Sequence, residues 1–181
     1  PRNVIKMMVE ILDPSDQDLI IDPACGSGGF LVESLRHVWR KLDDDAKKYN
    51  WNKNALREEK MTVAINNIHG IDKDSFLSKI AKAYMAIIGD GKGGIFNEDS
   101  LENSKNWEDL TRTKIAFEKF DILLTNPPFG AKLPVKGEKK LNQYELAHKW
   151  SLDKKSGDLI KGKLKSKESP QIIFIERSIQ L

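Results

Sequence analysis

Apolar and polar residues alternate along this chain with two different periods. Across 3–12, NVIKMMVEIL, the residues Val4, Met7, Met8, Ile11 and Leu12 fall at i, i+3, i+4, i+7 and i+8, one stripe on a short helix. Asp13-Pro14-Ser15 ends it. Residues 18–22, DLIID, predict a short buried strand, and PACGSGG is the loop after it. A helical pattern then runs from Phe30 through Leu31, Leu35, Val38 and Leu42, with the acids Asp43–Asp45 expected to end or turn it. A weaker helical stretch covers about 55–68, and His69-Gly70-Ile71-Asp72 predicts a strand ending in an acid. Residues 75–88 predict a helix with Leu77, Ile80, Ala81, Tyr84, Ile87 and Ile88 on one side. Gly89 to Gly94 forms a Gly-rich loop, and GGIFNEDSL a short strand and turn. FDILLT, 120–125, is apolar on both faces, as a central parallel strand should be. Residues 129–169 are rich in Lys and Gly with little period and predict a long loop, functional or disordered. Ser169-Pro170 opens a final helix through Leu181. There is no internal repeat.

Strands alternating with helices predict an α/β domain: a Rossmann-like, mostly parallel sheet with right-handed crossovers and helices on both faces. Residues 1–128 form the core of that single domain, 129–169 the Lys-rich loop and 170–181 the closing helix. Ligands of such sheets bind beyond the carboxyl ends of the strands. PACGSGG, Asp72 and Asn126-Pro127-Pro128-Phe129-Gly130 all sit at such ends, which predicts one site at one rim.

Composition changes this picture in two places. The net charge of +3 is uneven: residues 132–167 hold 11 Lys against 4 acids, and the remainder 19 basic against 23 acidic groups. A charge run of this kind is a solvated loop or a surface that faces phosphates, since clustered Lys attract a polyanion without regard to its sequence. The single Cys25 excludes an internal disulfide, and without a Cys or His cluster a zinc site is not expected. No run of 18 apolar residues and no charged-then-apolar leader appears, so a soluble protein of the reducing cytoplasm is expected.

Gly26, Gly28 and Gly29 follow a strand and precede a helix, where missing Cβ atoms let a ligand approach the backbone. The dinucleotide pattern fails, because Leu31 stands at the third glycine position and the next strand-end acid, Asp72, is 43 residues beyond Gly29. Gly157 to Lys163 matches the spacing of a phosphate-binding loop, but Leu164 replaces the required hydroxyl residue and no strand precedes it. A hydrolase elbow on Ser27 would need glycine where Cys25 stands, and no His is placed to make Cys25 a nucleophile. A nucleoside without phosphate remains. Asp72 is placed to accept hydrogen bonds from ribose hydroxyls, and Asp99, after the third strand, from an adenine amino group. Taken alone, either acid is equally an ordinary loop or capping residue.

Asp22-Pro23-Ala24-Cys25-Gly26-Ser27-Gly28-Gly29-Phe30 together with Asn126-Pro127-Pro128-Phe129-Gly130 resembles the adenine-specific DNA methyltransferases, most of all the modification subunit of type I restriction–modification systems. Pro1-Arg2-x-Val4 resembles the segment before the glycine loop in that family. The resemblance implies a class I methyltransferase fold, S-adenosylmethionine as methyl donor and adenine in duplex DNA as acceptor. It also implies a separate specificity subunit and a nuclease subunit as partners. By position, Pro1, Arg2, Asp22, Ala24, Gly26, Ser27, Gly28 and Phe30 would surround the methionine part of the cofactor, Asp72 its ribose and Asp99 its adenine. Asn126, Pro127, Pro128 and Phe129 would form the catalytic motif. The chain opens at Pro1, where the family usually has a preceding Thr. It lacks the family's helical amino-terminal domain and stops before the last strands of the sheet. It is therefore expected to be a partial catalytic domain from a longer protein.

The exocyclic amine of adenine is a poor nucleophile because its lone pair is delocalised into the ring. Two acceptors aimed at its N–H groups favour a more pyramidal nitrogen, and the Asn126 side-chain oxygen and the Pro127 carbonyl suit that task. Consecutive prolines preset the carbonyl direction, and Phe129 offers a stacking platform for an extruded base. The same motif serves enzymes that methylate a protein glutamine amide or an RNA base. A third reading is an inactive methyltransferase-like module that binds DNA or partner subunits.

Overall fold

The computed structural model describes residues 1–88, 94–129 and 133–181. Residues 89–93 of the expected Gly-rich loop, and Gly130 after the Asn-Pro-Pro-Phe motif, lie outside the described residues.

The chain begins with α1 (Arg2–Leu12) and β1 (Ile20–Asp22), continues through α2 (Gly29–Lys48) and α3 (Lys53–Asn66), and reaches β2 (Ile68–Ile71), α4 (Ser75–Ile88) and β3 (Ile95–Phe96). A short α5 (Asp109–Lys114) precedes β4 (Ile122–Leu123). Beyond it come β5 (Val135–Lys136), α6 (Glu138–Leu141), β6 (His148–Leu152), β7 (Leu159–Leu164), β8 (Lys167–Glu168) and α7 (Pro170–Gln180). The first four strands form one parallel sheet in the order β3-β2-β1-β4, so all their carboxyl ends share a rim.

Alternation within β1 divides the core. Ile20 joins Leu31, Leu35, Val38, Val63, Ala81 and Met85, contributed by α2, α3 and α4 on one face. Its neighbour Ile21 joins Ile71, Phe96, Trp107, Ile115 and Leu181 on the other. Each of these aliphatic side chains gives about 1.5–3 kcal/mol on full burial. Backbone contact is close where β2 meets its surroundings: a Cβ on Gly70 would stand 2.5 Å from Leu31 Cδ1, and one on Gly94 1.8 Å from the Ile68 carbonyl oxygen.

Several expectations change. The acids Asp43–Asp45 do not end α2, because the buried stripe continues from Leu42 to Ala46 across them. Asp43 and Asp44 instead pair at the surface with Lys60 at 2.7 Å and Lys47 at 3.0 Å. In α4 the buried seam is Ser78, Ala81 and Met85, while Tyr84 and Ile87 are exposed. In α1 the buried residue is Val9, packed with Ile5 and Met8 on Phe30 and Leu124, and the predicted residues Val4, Met7, Ile11 and Leu12 are exposed. β4 lies at the edge of the described sheet rather than inside it, with Ile122 and Leu123 half-buried. The expected 129–169 loop carries regular structure: β5 pairs with β8, and β6 with β7, both antiparallel.

Candidate active site

Each loop beyond the sheet is held by its own backbone. After β1, the Asp22 carboxylate accepts the Ala24 N–H at 3.0 Å. It is 2% exposed, and burial pushes its pKa up to about 7, with the Ala24 N–H opposing the shift. The Cys25 N–H donates to the Ile71 carbonyl at 3.0 Å, which ties this loop to the end of β2. Gly26 and Gly28 have φ of +55° and +85°, in the left-handed region that favours glycine. A Cβ on Gly26 would meet nothing within 4 Å, whereas one on Gly28 would meet Ala81 Cβ at 3.3 Å. The first glycine thus opens space and the second lets α4 approach.

Asp72 joins two loops. Its Oδ2 accepts the Gly26 N–H at 2.8 Å and its Oδ1 the Asp74 N–H at 2.8 Å. Each oxygen keeps a second lone pair for a ligand. Asp99 accepts the Leu101 N–H at 3.0 Å and the Lys140 ammonium at 2.8 Å. Lys140 also reaches Glu102 at 3.0 Å, and together the two carboxylates hold its pKa above the ordinary lysine value against the effect of burial.

A cavity of about 480 Å³ lies at the carboxyl rim and joins these loops. Its wall includes Ala24, Gly26 and Asp72 from the first two strand ends, Asp99 from the third, and Asn126 and Pro128 from the fourth. The structure thus brings the glycine loop and the Asn-Pro-Pro-Phe segment to a common cleft. The remaining expected residues lie outside its described lining. Pro1 and Arg2 open α1 and are exposed. Asp22 is buried and acts on the loop backbone, Ser27 is exposed and Gly28 is buried. Phe30 is a core residue against Val9 and Leu124. Pro127 is half-buried, and Phe129 is 72% exposed beside the cleft.

The other wall was not foreseen. Leu101, Val135, Lys140, Pro170 and Phe174 line it, and four of the five come from the stretch read as a loop or from the closing helix. Lys140 was one lysine among 11 in its segment, with no periodic signal to single it out. Cys25 is packed in the core, where burial pushes its thiol pKa up, in keeping with its reading as a small packed residue. The Gly157–Lys163 pattern falls on a hairpin turn and β7, which is not the strand–loop–helix setting of a phosphate loop. Among the described residues there is no cluster of three His, Cys, Asp or Glu able to hold a metal, and no helix long and apolar enough to cross a membrane.

A parallel α/β sheet whose carboxyl rim carries a glycine turn, two strand-end acids and an Asn-Pro-Pro-Phe segment around one cleft defines the Rossmann-like class I methyltransferase architecture. The profile of the N-6 DNA methylase family matches residues 1–160, and the chain belongs to that family. It is 31% identical over 130 residues to the type I restriction enzyme MjaIX methylase subunit of Methanocaldococcus jannaschii, covering 72% of this chain and 18% of that protein. It is 25% identical over 130 residues to the type II restriction enzyme and methyltransferase RM.BcgI of Heyndrickxia coagulans, covering 72% of this chain and 17% of the relative. The chain therefore spans under a fifth of the length of these curated relatives. The fold is shared with a modification subunit of a putative type I restriction enzyme from Vibrio vulnificus, at a TM-score of 0.59 and 23% identity over 99% of this chain and 29% of that one. It is shared too with a chain of a type I restriction–modification complex, at a TM-score of 0.63 and 22% identity over 98% of this chain and 28% of that one.

Proposed function

We propose that the full-length protein transfers a methyl group from S-adenosylmethionine to the exocyclic N6 amine of adenine in duplex DNA. In this reading it is the cytoplasmic modification subunit of a type I restriction–modification system, working with a specificity and a nuclease subunit. The observation that carries the proposal is the single cleft lined by Gly26, Asp72 and Asp99 on one side and by Asn126 and Pro128 on the other.

The residues present fit the cofactor. The open space at Gly26 forms a cradle that any Cβ would begin to fill. The carboxylates of Asp72 and Asp99 suit ribose hydroxyls and an adenine amino group. A volume of about 480 Å³ lies within the several-hundred-Å³ range of small-molecule sites. Asp22, by fixing the Ala24 N–H, shapes the turn around the methionine end, with Ala24, Ser27 and Gly28 of the same loop. When bound, S-adenosylmethionine supplies an electrophilic methyl on a sulfonium.

The chain's own residues then act on the acceptor. The Asn126 oxygen and the Pro127 carbonyl accept the two amine N–H groups and direct the nitrogen lone pair into the cleft. Pro128 stiffens the carbonyl direction, and exposed Phe129 stacks on the extruded base. Stacking offsets part of the few kcal/mol of unpairing. No covalent enzyme intermediate is required. The work is positioning and a preorganised polar lining.

Asn126→Ala in the full-length protein is expected to abolish methylation of duplex DNA while leaving S-adenosylmethionine affinity within about twofold. Persistence of transfer within about tenfold, worth ~1.4 kcal/mol of barrier, would remove Asn126 from the catalytic motif. Because one relative is a tRNA (guanine(6)-N2)-methyltransferase of Methanocaldococcus jannaschii, tRNA belongs beside duplex DNA among the acceptors tested. Transfer to tRNA alone would replace adenine in DNA as the acceptor.

A further inference from the structure

The Lys-rich stretch contains a two-stranded antiparallel ribbon, β6–β7, in which Trp150 pairs with Lys161, Ser151 with Ile160 and Leu152 with Leu159. Residues directly opposite share a face of the ribbon. Trp150, Leu152, Leu159 and Lys161 therefore lie on one face. The three apolar members are exposed, Leu152 and Leu159 at 63% and 68%. Lys149, Lys154, Lys155 and Lys163 are also exposed, and among the described residues none of the four is in an ion pair, whereas Lys161 pairs with Glu145 at 2.7 Å. Asp153, one of the two acids of the ribbon, is committed to the turn, where it accepts the Lys155 and Ser156 N–H groups.

The ribbon is rooted in the wall of the cleft. At its base Ala147 and Leu164 pack with Leu101, Leu141, Tyr144, Ile173, Phe174 and Val135, and Leu101, Val135 and Phe174 of that cluster line the cavity. Glu176 of α7 anchors the approach by accepting the Glu145 and Leu146 N–H groups at 2.7 and 2.8 Å. From that root the strands extend about 20 Å, at roughly 3.4 Å per residue. An uncovered two-stranded ribbon with an apolar face is marginal in water and gains from a partner. Five lysines against two acids over 148–164 make a polyanion the complementary partner. A β-ribbon fits a DNA groove, and apolar side chains wedge between base steps in the minor groove.

We propose that the β6–β7 ribbon is a duplex-contacting arm. Lys149, Lys154, Lys155 and Lys163 meet backbone phosphates, and the Leu152–Leu159 pair enters a groove next to the base offered to the cleft. This rests on the methyltransferase reading for the identity of the polyanion.

The test compares the full-length protein with Lys149→Gln/Lys154→Gln/Lys155→Gln/Lys163→Gln and with Leu152→Ser/Leu159→Ser, the probe being a plain duplex oligonucleotide titrated over a range of salt. S-adenosylmethionine binding serves as the control for folding. Removing the lysines is expected to weaken duplex binding at least tenfold. It should also flatten the plot of log affinity against log salt by about 3 to 4, at ~0.9 per lost phosphate contact. The leucine pair variant is expected to bind about tenfold more weakly with the salt slope of the parent. Parental affinity and slope in both variants would overturn the proposal. So would a duplex affinity that is unchanged while association with another protein subunit is lost, which would make the ribbon a protein interface. Duplex binding is read without methyl transfer, so a parent that binds the duplex through the ribbon but transfers no methyl would sink the enzymatic reading alone.

Discussion

Asp22 and His69 are ionisable side chains set where ionisation is penalised, and they load the stability of the sheet with opposite signs. Burial raises the Asp22 pKa to about 7 from 3.8, so the folded state holds an extra proton between those values. Stability from this group is complete below about pH 4 and falls as pH rises towards 7. Burial depresses the His69 pKa to about 4 from 6.5. Its contribution is complete above pH 6.5 and falls as pH drops towards 4. The two slopes oppose each other between pH 4 and 6.5. Asp22→Asn keeps an acceptor for the Ala24 N–H and deletes one slope. Relative to the parent, the variant is expected to gain stability from pH 4 to pH 8 by up to ~4 kcal/mol, three pKa units at ~1.36 kcal/mol each. It should lose stability more steeply than the parent on acidification below pH 6.5. Urea unfolding at pH 4.5, 6 and 8 measures this, and a difference that does not vary with pH would contradict it. The sequence put Asp22 at a strand end, but the depth of its burial depends on a loop folding over it.

At the level of elements, the helix and strand periods of the first 88 residues were legible because each covers a single, repeated environment. They failed where two environments share one element. The acids of α2 stand beside a stripe that continues underneath them, and α1 has apolar residues on two sides, of which only the Val9 side meets α2. The segment after Phe129 was unreadable for another reason. Its anchors are single residues far apart in the chain. Arg177 of α7 is fully buried, and its guanidinium donates to the Tyr144 hydroxyl, the Gln143 side chain and the Glu102 carbonyl. Tyr144 in turn donates to the Leu101 carbonyl at 2.9 Å. Tyr144→Phe leaves that carbonyl without this donor and Arg177 without one of its acceptors, and is expected to cost about 1–3 kcal/mol in thermal or urea unfolding. A loss under 0.5 kcal/mol would mean that the segment is not held to α7 through this network.

Across the whole molecule, four strand ends separated by tens of residues build one cleft, and ligand binding there should stabilise the entire fold. At a concentration about 100 times the dissociation constant, S-adenosylmethionine is expected to add ~2.7 kcal/mol to the parent, visible as a rise in melting temperature. Asp72→Ala removes both a lining carboxylate and the acceptor of the Gly26 N–H. It is expected to weaken cofactor binding by about 1–3 kcal/mol and to reduce the thermal shift at fixed ligand accordingly. An undiminished shift would take Asp72 out of the cofactor site.

Local order was written in the sequence. Short apolar runs ending in PACGSGG, HGID and TNPPF predict parallel strands whose carboxyl-end loops meet at one rim, because backbone conformation and side-chain type act over a few residues. Which of those residues face the cleft was settled by packing. Phe30 is drawn into the core beside Val9, Asp22 is sealed under its own turn, and Lys140 arrives on Asp99 from 41 positions away. Such pairings are fixed by how elements stack in three dimensions, and no period along the chain encodes them.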